Sequence, residues 1–208
     1  MSDAKTGSRL AGKVTIITGG GHGFGEGIAR KFAQEGAKVL ITDINENDGQ
    51  RVAQDVPGSI SFFKADVTSA EDWEKLMDAA QSRVFNVNVK GIFLGTAAFM
   101  PRVIKQGEGG VMLNIASIGA ATKGLAAEYG AHHIRVNSVC PLLSGTGLFE
   151  SFAGQADTPE NRLKFIDNVP LKRLCEVSDV ADTCLFLASD ESKFITGINL
   201  EVDGGRAI

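Results

Sequence analysis

The residues from Val14 to Phe32, VTIITGGGHGFGEGIARKF, leave few options for the chain around them. An apolar, β-branched run (Val14, Ile16, Ile17) meets a glycine cluster, and apolar positions at helical spacing (Ile28, Ala29, Phe32) follow at once. Strand, glycine turn and helix in succession make a dinucleotide phosphate site. The spacing Gly19, Gly23, Gly25 is a longer-turn variant of the G-x-G-x-x-G pattern. Gly19 lets the chain leave the strand in a tight turn, Gly23 lets backbone approach a pyrophosphate, and Gly25 lets the helix pack on the strand. Gly21, His22 and Phe24 complete the turn and count with them as cofactor-lining positions. The helix then begins with free N–H groups and a partial positive charge aimed at the pyrophosphate. A merely flexible glycine loop is the alternative, and the flanking strand and helix argue against it.

A second strand at Lys38–Thr42 ends in Asp43-Ile44, about 20 residues past the glycine turn, where a carboxylate hydrogen-bonds an adenosine ribose. A carboxylate there repels a 2′-phosphate, so NAD is expected in preference to NADP. A loop Asp capping the helix that starts near Asn45 is the competing reading. His22 could carry partial positive charge toward a 2′-phosphate, but Asp43 weighs more. A third strand, Ile60–Ala65, ends in Asp66-Val67; Asp66 is placed equally well to meet an adenine edge or to cap a helix near Ser69. The β-α-β-α-β order is one mononucleotide-binding half of a doubly wound parallel sheet, an α/β/α Rossmann architecture.

The pattern then breaks. A helix over Ala70–Arg83 runs straight into a second helical period, Val84–Ile104, with no strand between. Losing a strand from the middle of such a sheet leaves ladder groups unpaired and opens a slot through the core. A strand at Val111–Ala116 closes with Ser117. The next connection is compressed: its helix, Ala121–Tyr129, spans roughly 13 Å, short for covering a parallel sheet. A strand at Ile134–Cys140 follows. Residues 141–174, with Leu142, Leu143, Leu148, Phe149, Phe152 and Phe165, read as an apolar loop with short helices, the usual place for a substrate lid. A helix at Ser178–Ala188 with Ser178 as N-cap and a strand at Ile198–Val202 end the pattern.

The 208 residues predict one domain, with residues 1–9 a disordered lead-in. Net charge is −4 with no basic block, so neither nucleic acid nor an anionic membrane is an expected partner. Three widely spaced cysteines in apolar settings (Cys140, Cys175, Cys184) argue against a disulfide framework or a metal ribbon, and no metal is expected. No secretory signal is visible in Met1–Arg9, and the expected compartment is the reduced cytoplasm.

These pieces resemble the short-chain dehydrogenase/reductase family from Gly12 to Gly205. The resemblance rests on TGGGHGFG (Thr18–Gly25), Asp43, Asp66-Val67, FNVNVKG (Phe85–Gly91), LNIAS (Leu113–Ser117), RVNSVCP (Arg135–Pro141) and ITGINLEVDGG (Ile195–Gly205). It implies an NAD(P)-dependent oxidoreductase moving a hydride between nicotinamide and a secondary alcohol or ketone, assembled as a homotetramer or homodimer. By motif, the resemblance gives Ser117 the substrate-orienting role and Asn88 the relay-water role. It puts Ile115, Pro141 and Thr146 on the cofactor and makes Asn114 and Asn137 structural. Two parts of the family pattern are missing from these 208 residues: the Asn-Asn-Ala-Gly strand between Arg83 and Val84, and the Tyr-x-x-x-Lys segment after Ser117. The one tyrosine, Tyr129, has His133 four residues on, and Lys123 precedes it. Neither takes the acid/base role, which the resemblance implies belongs to segments these residues do not contain. Without such segments the implied alternative is a non-catalytic NAD-binding relative.

Overall fold

A computed structural model describes residues 7–69, 91–115, 119–144 and 149–206. Its elements in chain order are β1 (Val14–Thr18), α1 (Gly23–Gln34), β2 (Lys38–Asp43), α2 (Glu46–Asp55), β3 (Ile60–Lys64), α3 (Gly91–Gln106), β4 (Gly110–Ile115) and α4 (Gly119–Tyr129). There follow β5 (Ile134–Pro141), α5 (Phe149–Ala153), α6 (Pro159–Ile166), α7 (Val177–Ala188) and β6 (Asn199–Val202). All strand pairs are parallel, and helices cover them, as a doubly wound α/β chain requires. Among the described residues no helix is long and apolar enough to cross a membrane.

The described strands form two three-stranded sheets, β1-β2-β3 and β4-β5-β6, and β1 is not laddered to β4. The predicted lack of a strand between Arg83 and Val84 falls outside the described residues. The predicted helix over Ala70–Arg83 and residues 84–90 of the helical period predicted at Val84–Ile104 also lie outside the described residues.

Alternation along the strands sorts side chains between two cores. Ile17, Val39, Ile41 and Ile60 meet Ile28, Ala29 and Phe32 of α1 and Val52 of α2. The same cluster takes in Val139 of β5 and Val180, Ala181, Cys184, Leu185 and Leu187 of α7, so one core reaches both sheets. The joint is close: a Cβ on Gly27 of α1 would lie 2.0 Å from Val177 Cγ1 of α7. Lys31 and Asp182 add an ion pair at 2.8 Å. A second cluster, Ile134 and Val136 with Met100 and Val103 of α3 and Leu125 and Ala126 of α4, belongs to the second sheet alone. The corresponding face of the first sheet is open, with Val14 75%, Ile16 59% and Phe63 59% exposed.

Several boundaries differ from expectation. The helix after the glycine turn starts at Gly23 rather than Gly25, since His22 has the extended backbone of an N-cap (φ −158°, ψ 174°). The strand expected at Val111–Ala116 begins one residue earlier, at Gly110. Ser178 is not an N-cap: α7 starts at Val177, with Glu176 as cap in a reciprocal box with Asp179, whose carboxylate accepts the Glu176 N–H at 2.9 Å. The lead-in is docked from Gly7, since Glu35 accepts the Gly7 and Arg9 amides and Arg9 grips Glu191 at 2.7 and 2.9 Å.

Much of the apolar content of residues 141–174 packs within the protein. Leu143, Phe149 and Val169 are buried, Phe149 meets Phe165 edge-on at 6.3 Å, and Arg206 lies 3.9 Å over the Phe165 ring. Leu163 and Leu171 remain exposed.

Candidate cofactor-binding site

The glycine turn is held by the second strand beneath it. Gly20 N–H donates to Thr42 O at 3.0 Å, and Gly21 N–H donates to Asp43 Oδ2 at 2.9 Å. Gly19 (φ 65°) and Gly23 (φ 58°) take left-handed backbone that other residues adopt at a cost. Gly25 packs so closely that a Cβ would lie 2.0 Å from Gly19 O. At the mouth of the turn nothing lies within 4 Å of where a Gly19 Cβ would stand.

His22 makes no side-chain cap on α1. The first-turn amides of Gly23, Phe24 and Gly25 therefore lack the usual internal acceptor, at the positive end of the helix. Such amides, with open space beside Gly19, fit a pyrophosphate. Phe24, half-buried, anchors this end of α1 against the main core.

Asp43, 6% exposed, ends β2 with both oxygens engaged: Oδ2 accepts Gly21 N–H and Oδ1 accepts Asn45 N–H at 2.9 Å. Asn45 itself caps α2, accepting from Asn47 and Asp48 amides. Asp43 is thus a brace between the glycine turn and the α2 entry, and the helix cap it could have supplied comes from Asn45. Exposed His22 places Nδ1 4.0 Å from Asp43 Oδ2, and exposed Ile44 follows on the rim. Thr42 is buried, and its Oγ1 has no hydrogen-bond partner among the described residues. After β3, Asp66 Oδ1 accepts from Thr68 N–H (2.8 Å) and Thr68 Oγ1 (2.7 Å), closing a turn next to half-buried Val67.

A charged network ties this loop to both helices. Glu26, in the first turn of α1, accepts from Arg30 at 2.8 Å and from Arg51 of α2 at 2.8 and 3.0 Å. Arg51 also donates from Nη2 to Gly21 O at 2.9 Å, and Arg30 reaches Asp55 at 2.6 Å. The hydrogen bond from Arg51, opposed by burial and helped by Arg30, holds the Glu26 carboxyl below its ordinary value. Sequence reading missed Arg51, because it lies 25 residues from Glu26 and only the β-α-β turn brings them together.

In the second sheet, Ile115 ends β4 and Pro141 ends β5 opposite Val202. Leu142, standing where the family has glycine, donates its N–H to Val202 O at 3.0 Å, so the backbone path past Pro141 continues the ladder to β6. Asn114 donates to Thr122 at 3.2 Å, and Asn137 joins Ile195 O (3.0 Å) and Ile198 N–H (3.3 Å). Both amides are committed to holding the fold. Asn88, Ser117 and Thr146 lie outside the described residues.

Tyr129 closes α4, half-buried against the second core. Burial first, then Glu128, pushes its phenol above the ordinary value, opposite to what a proton-transfer tyrosine needs. Lys123 is exposed on the same helix.

The "short chain dehydrogenase" family model matches residues 13–84, and the "Enoyl-(Acyl carrier protein) reductase" model matches residues 81–207. They meet at the break between Arg83 and Val84. A 4-formylbenzenesulfonate dehydrogenase of Comamonas testosteroni is 33% identical over 248 residues, covering 94% of this chain and 98% of that protein. Since 94% of 208 residues is about 196, about 52 positions of that alignment have no residue from this chain. An NADP-dependent (R)-specific alcohol dehydrogenase of Lentilactobacillus kefiri is 32% identical, with 95% of this chain and 97% of that protein covered. Among solved structures, a 3-ketoacyl-(acyl-carrier-protein) reductase from Brucella melitensis complexed with NADH superposes with a TM-score of 0.85. It shares 31% identity over 96% of this chain and 100% of that one. With the glycine cradle, the parallel sheets and these matches over nearly the whole length, the chain belongs to the short-chain dehydrogenase/reductase family, NAD(P)-dependent oxidoreductases of alcohols and ketones.

Proposed function

We propose that this chain binds NAD in preference to NADP and oxidises a moderately hydrophobic or ring-bearing secondary alcohol, or reduces the matching ketone. The observation that carries the cofactor preference is the Asp43 carboxylate, buried at the end of β2 and bonded to the Gly21 amide. There it accepts from ribose hydroxyls and repels a 2′-phosphate. The N-terminal amides of α1 receive the pyrophosphate, Asp66-Val67 flank the adenine, and Ile115 and Pro141 line the nicotinamide end. Bound there, NAD supplies the hydride acceptor. Ser117 orients the substrate oxygen and stabilises charge developing on it, Thr146 holds the nicotinamide end, and Asn88 positions a proton-relay water.

A second reading, nucleotide binding without turnover, is favoured by one observation. Tyr129 is the sole tyrosine, and its phenol is raised and packed at the end of α4. Fluorescence titration with NADH and NADPH, followed by turnover on a panel of secondary alcohols and ketones, separates the readings. Tighter NADH binding with turnover supports the first, and binding without turnover supports the second. Intact mass gives an independent check: 21.9 kDa matches the second reading, and several kilodaltons more match the first.

A further inference from the structure

Arg51 sits where cofactor choice is made, yet no residue of the nucleotide reading uses it. Gly21 is pinned from both sides: its N–H by Asp43 at 2.9 Å and its C=O by Arg51 Nη2 at 2.9 Å. The residue leaves no slack, since a Cβ there would lie 2.8 Å from Asp43 Oδ2 and 3.0 Å from Asp48 Cβ. From α2, Arg51 therefore touches the same glycine turn that Asp43 holds from β2 and that His22 ends, the rim that the nucleotide reading turns toward a ribose 2′ substituent. Its charge is already answered: both guanidinium NH2 groups donate to Glu26, and Asp48 and Asp55 add attraction from α2. Glu26 is the partner that holds it, with a side chain only 21% exposed against 46% for Arg51.

We propose that Arg51 is a second determinant of cofactor choice, acting as a positioning residue that pins Gly21 against Asp43 and that Glu26 withholds from a 2′-phosphate. This rests on the reading of the glycine turn and Asp43 as the nucleotide site. Glu26 and Asp43 then work in the same direction by different means. Asp43 repels the phosphate directly, while Glu26 occupies the cation best placed to attract it. Removing the Glu26 charge leaves Arg51 on the Gly21 carbonyl with its charge uncompensated from α1, at the rim where a 2′-phosphate sits.

The test is a set of binding isotherms for NADH and NADPH, read by cofactor fluorescence at fixed ionic strength. The proteins are wild type, Glu26→Gln, Arg51→Gln, Arg51→Lys and the Glu26→Gln/Arg51→Gln pair, each checked for a single cooperative melting transition well above the assay temperature. Glu26→Gln should shift the NADPH-to-NADH affinity ratio toward NADPH by about fivefold, the size of one partly exposed ion pair. Arg51→Gln should weaken both cofactors about tenfold through the loosened loop, and Arg51→Lys should recover part of that loss. In the double variant the gain toward NADPH should vanish. An unchanged ratio in Glu26→Gln, or a gain that survives loss of Arg51, overturns the proposal. Wild type that binds both cofactors equally removes the Asp43 reading and leaves the Arg51 comparison standing. Wild type that binds neither overturns both.

Discussion

Gly25 sits against the carbonyl of Gly19 with no room for a methyl group, a Cβ there lying 2.0 Å from that oxygen. The contact is backbone on backbone, so no side chain can swing aside to relieve it. Gly25→Ala should push the first turn of α1 away from β1, destabilising the protein by about 1–3 kcal/mol. NADH affinity should fall together with the melting temperature. A Gly25→Ala protein with unchanged stability and NADH binding would mean the turn is looser than this contact requires.

Asp43→Ala removes acceptors for two backbone amides and the charge that disfavours a 2′-phosphate. NADH binding should weaken by about 10- to 100-fold, the range of one hydrogen bond to a charged group. NADPH should lose less, so the two affinities converge. Isotherms in which both cofactors weaken equally would leave Asp43 as a structural brace alone.

Acid should loosen the loop network before the cores. Glu26 is held below its ordinary value of 4.5, chiefly by the Arg51 hydrogen bond. A folded value below the unfolded one means the stabilisation is present above pH 4.5 and is lost as pH falls through the folded value. Melting temperatures followed from pH 7 to pH 3 should drop below about pH 4.5. Glu26→Gln should start lower and lose less over that interval. Equal slopes for the two proteins would take Glu26 out of the acid response.

The thiols should divide by burial. Burial pushes Cys184 up to about 12 and, with Asp179, Cys175 up to about 11, so neither is a thiolate near neutrality. Cys140, on β5, is half-buried. Brief iodoacetamide treatment of native protein at pH 8 should modify Cys140 first, by peptide mass mapping, and reach the others only in denaturant. Early labelling of Cys184 would contradict the packing of α7.

Core truncations should report how the halves are coupled. Leu185, 1% exposed, lies in the cluster shared by both sheets, whereas Met100, also 1% exposed, lies in the cluster of the second sheet alone. Each change to alanine should cost about 2–5 kcal/mol. By amide hydrogen exchange, Leu185→Ala should speed exchange in β2 and β5 alike, and Met100→Ala in β5 but not β2. Equal acceleration of β2 by both would show a single cooperative unit.

What could be read from the sequence was local. The glycine turn, the Asp closing β2 and the missing strand after Arg83 each announce themselves within about 20 residues, through backbone freedom, strand length and helical period. The α7 cap was misread because Ser178 has the better intrinsic preference, while Glu176 and Asp179 act as a reciprocal pair that Arg173 reinforces. The Arg51 pin on Gly21 joins residues 30 apart, and no periodicity marks it. The apolar content of residues 141–174 is plain in the sequence, but where Phe149 and Phe165 point depends on each other and on Arg206 from beyond β6.

Strands β1 and β4 carry a further consequence. Among the described residues β1 and β4 each have a strand on one side only, and β1 shows Val14 and Ile16 to solvent. Such an edge is adhesive toward any extended chain, including another copy of itself. The strip of β1 that bears Val14 and Ile16 therefore adds to the protein's tendency to associate with itself.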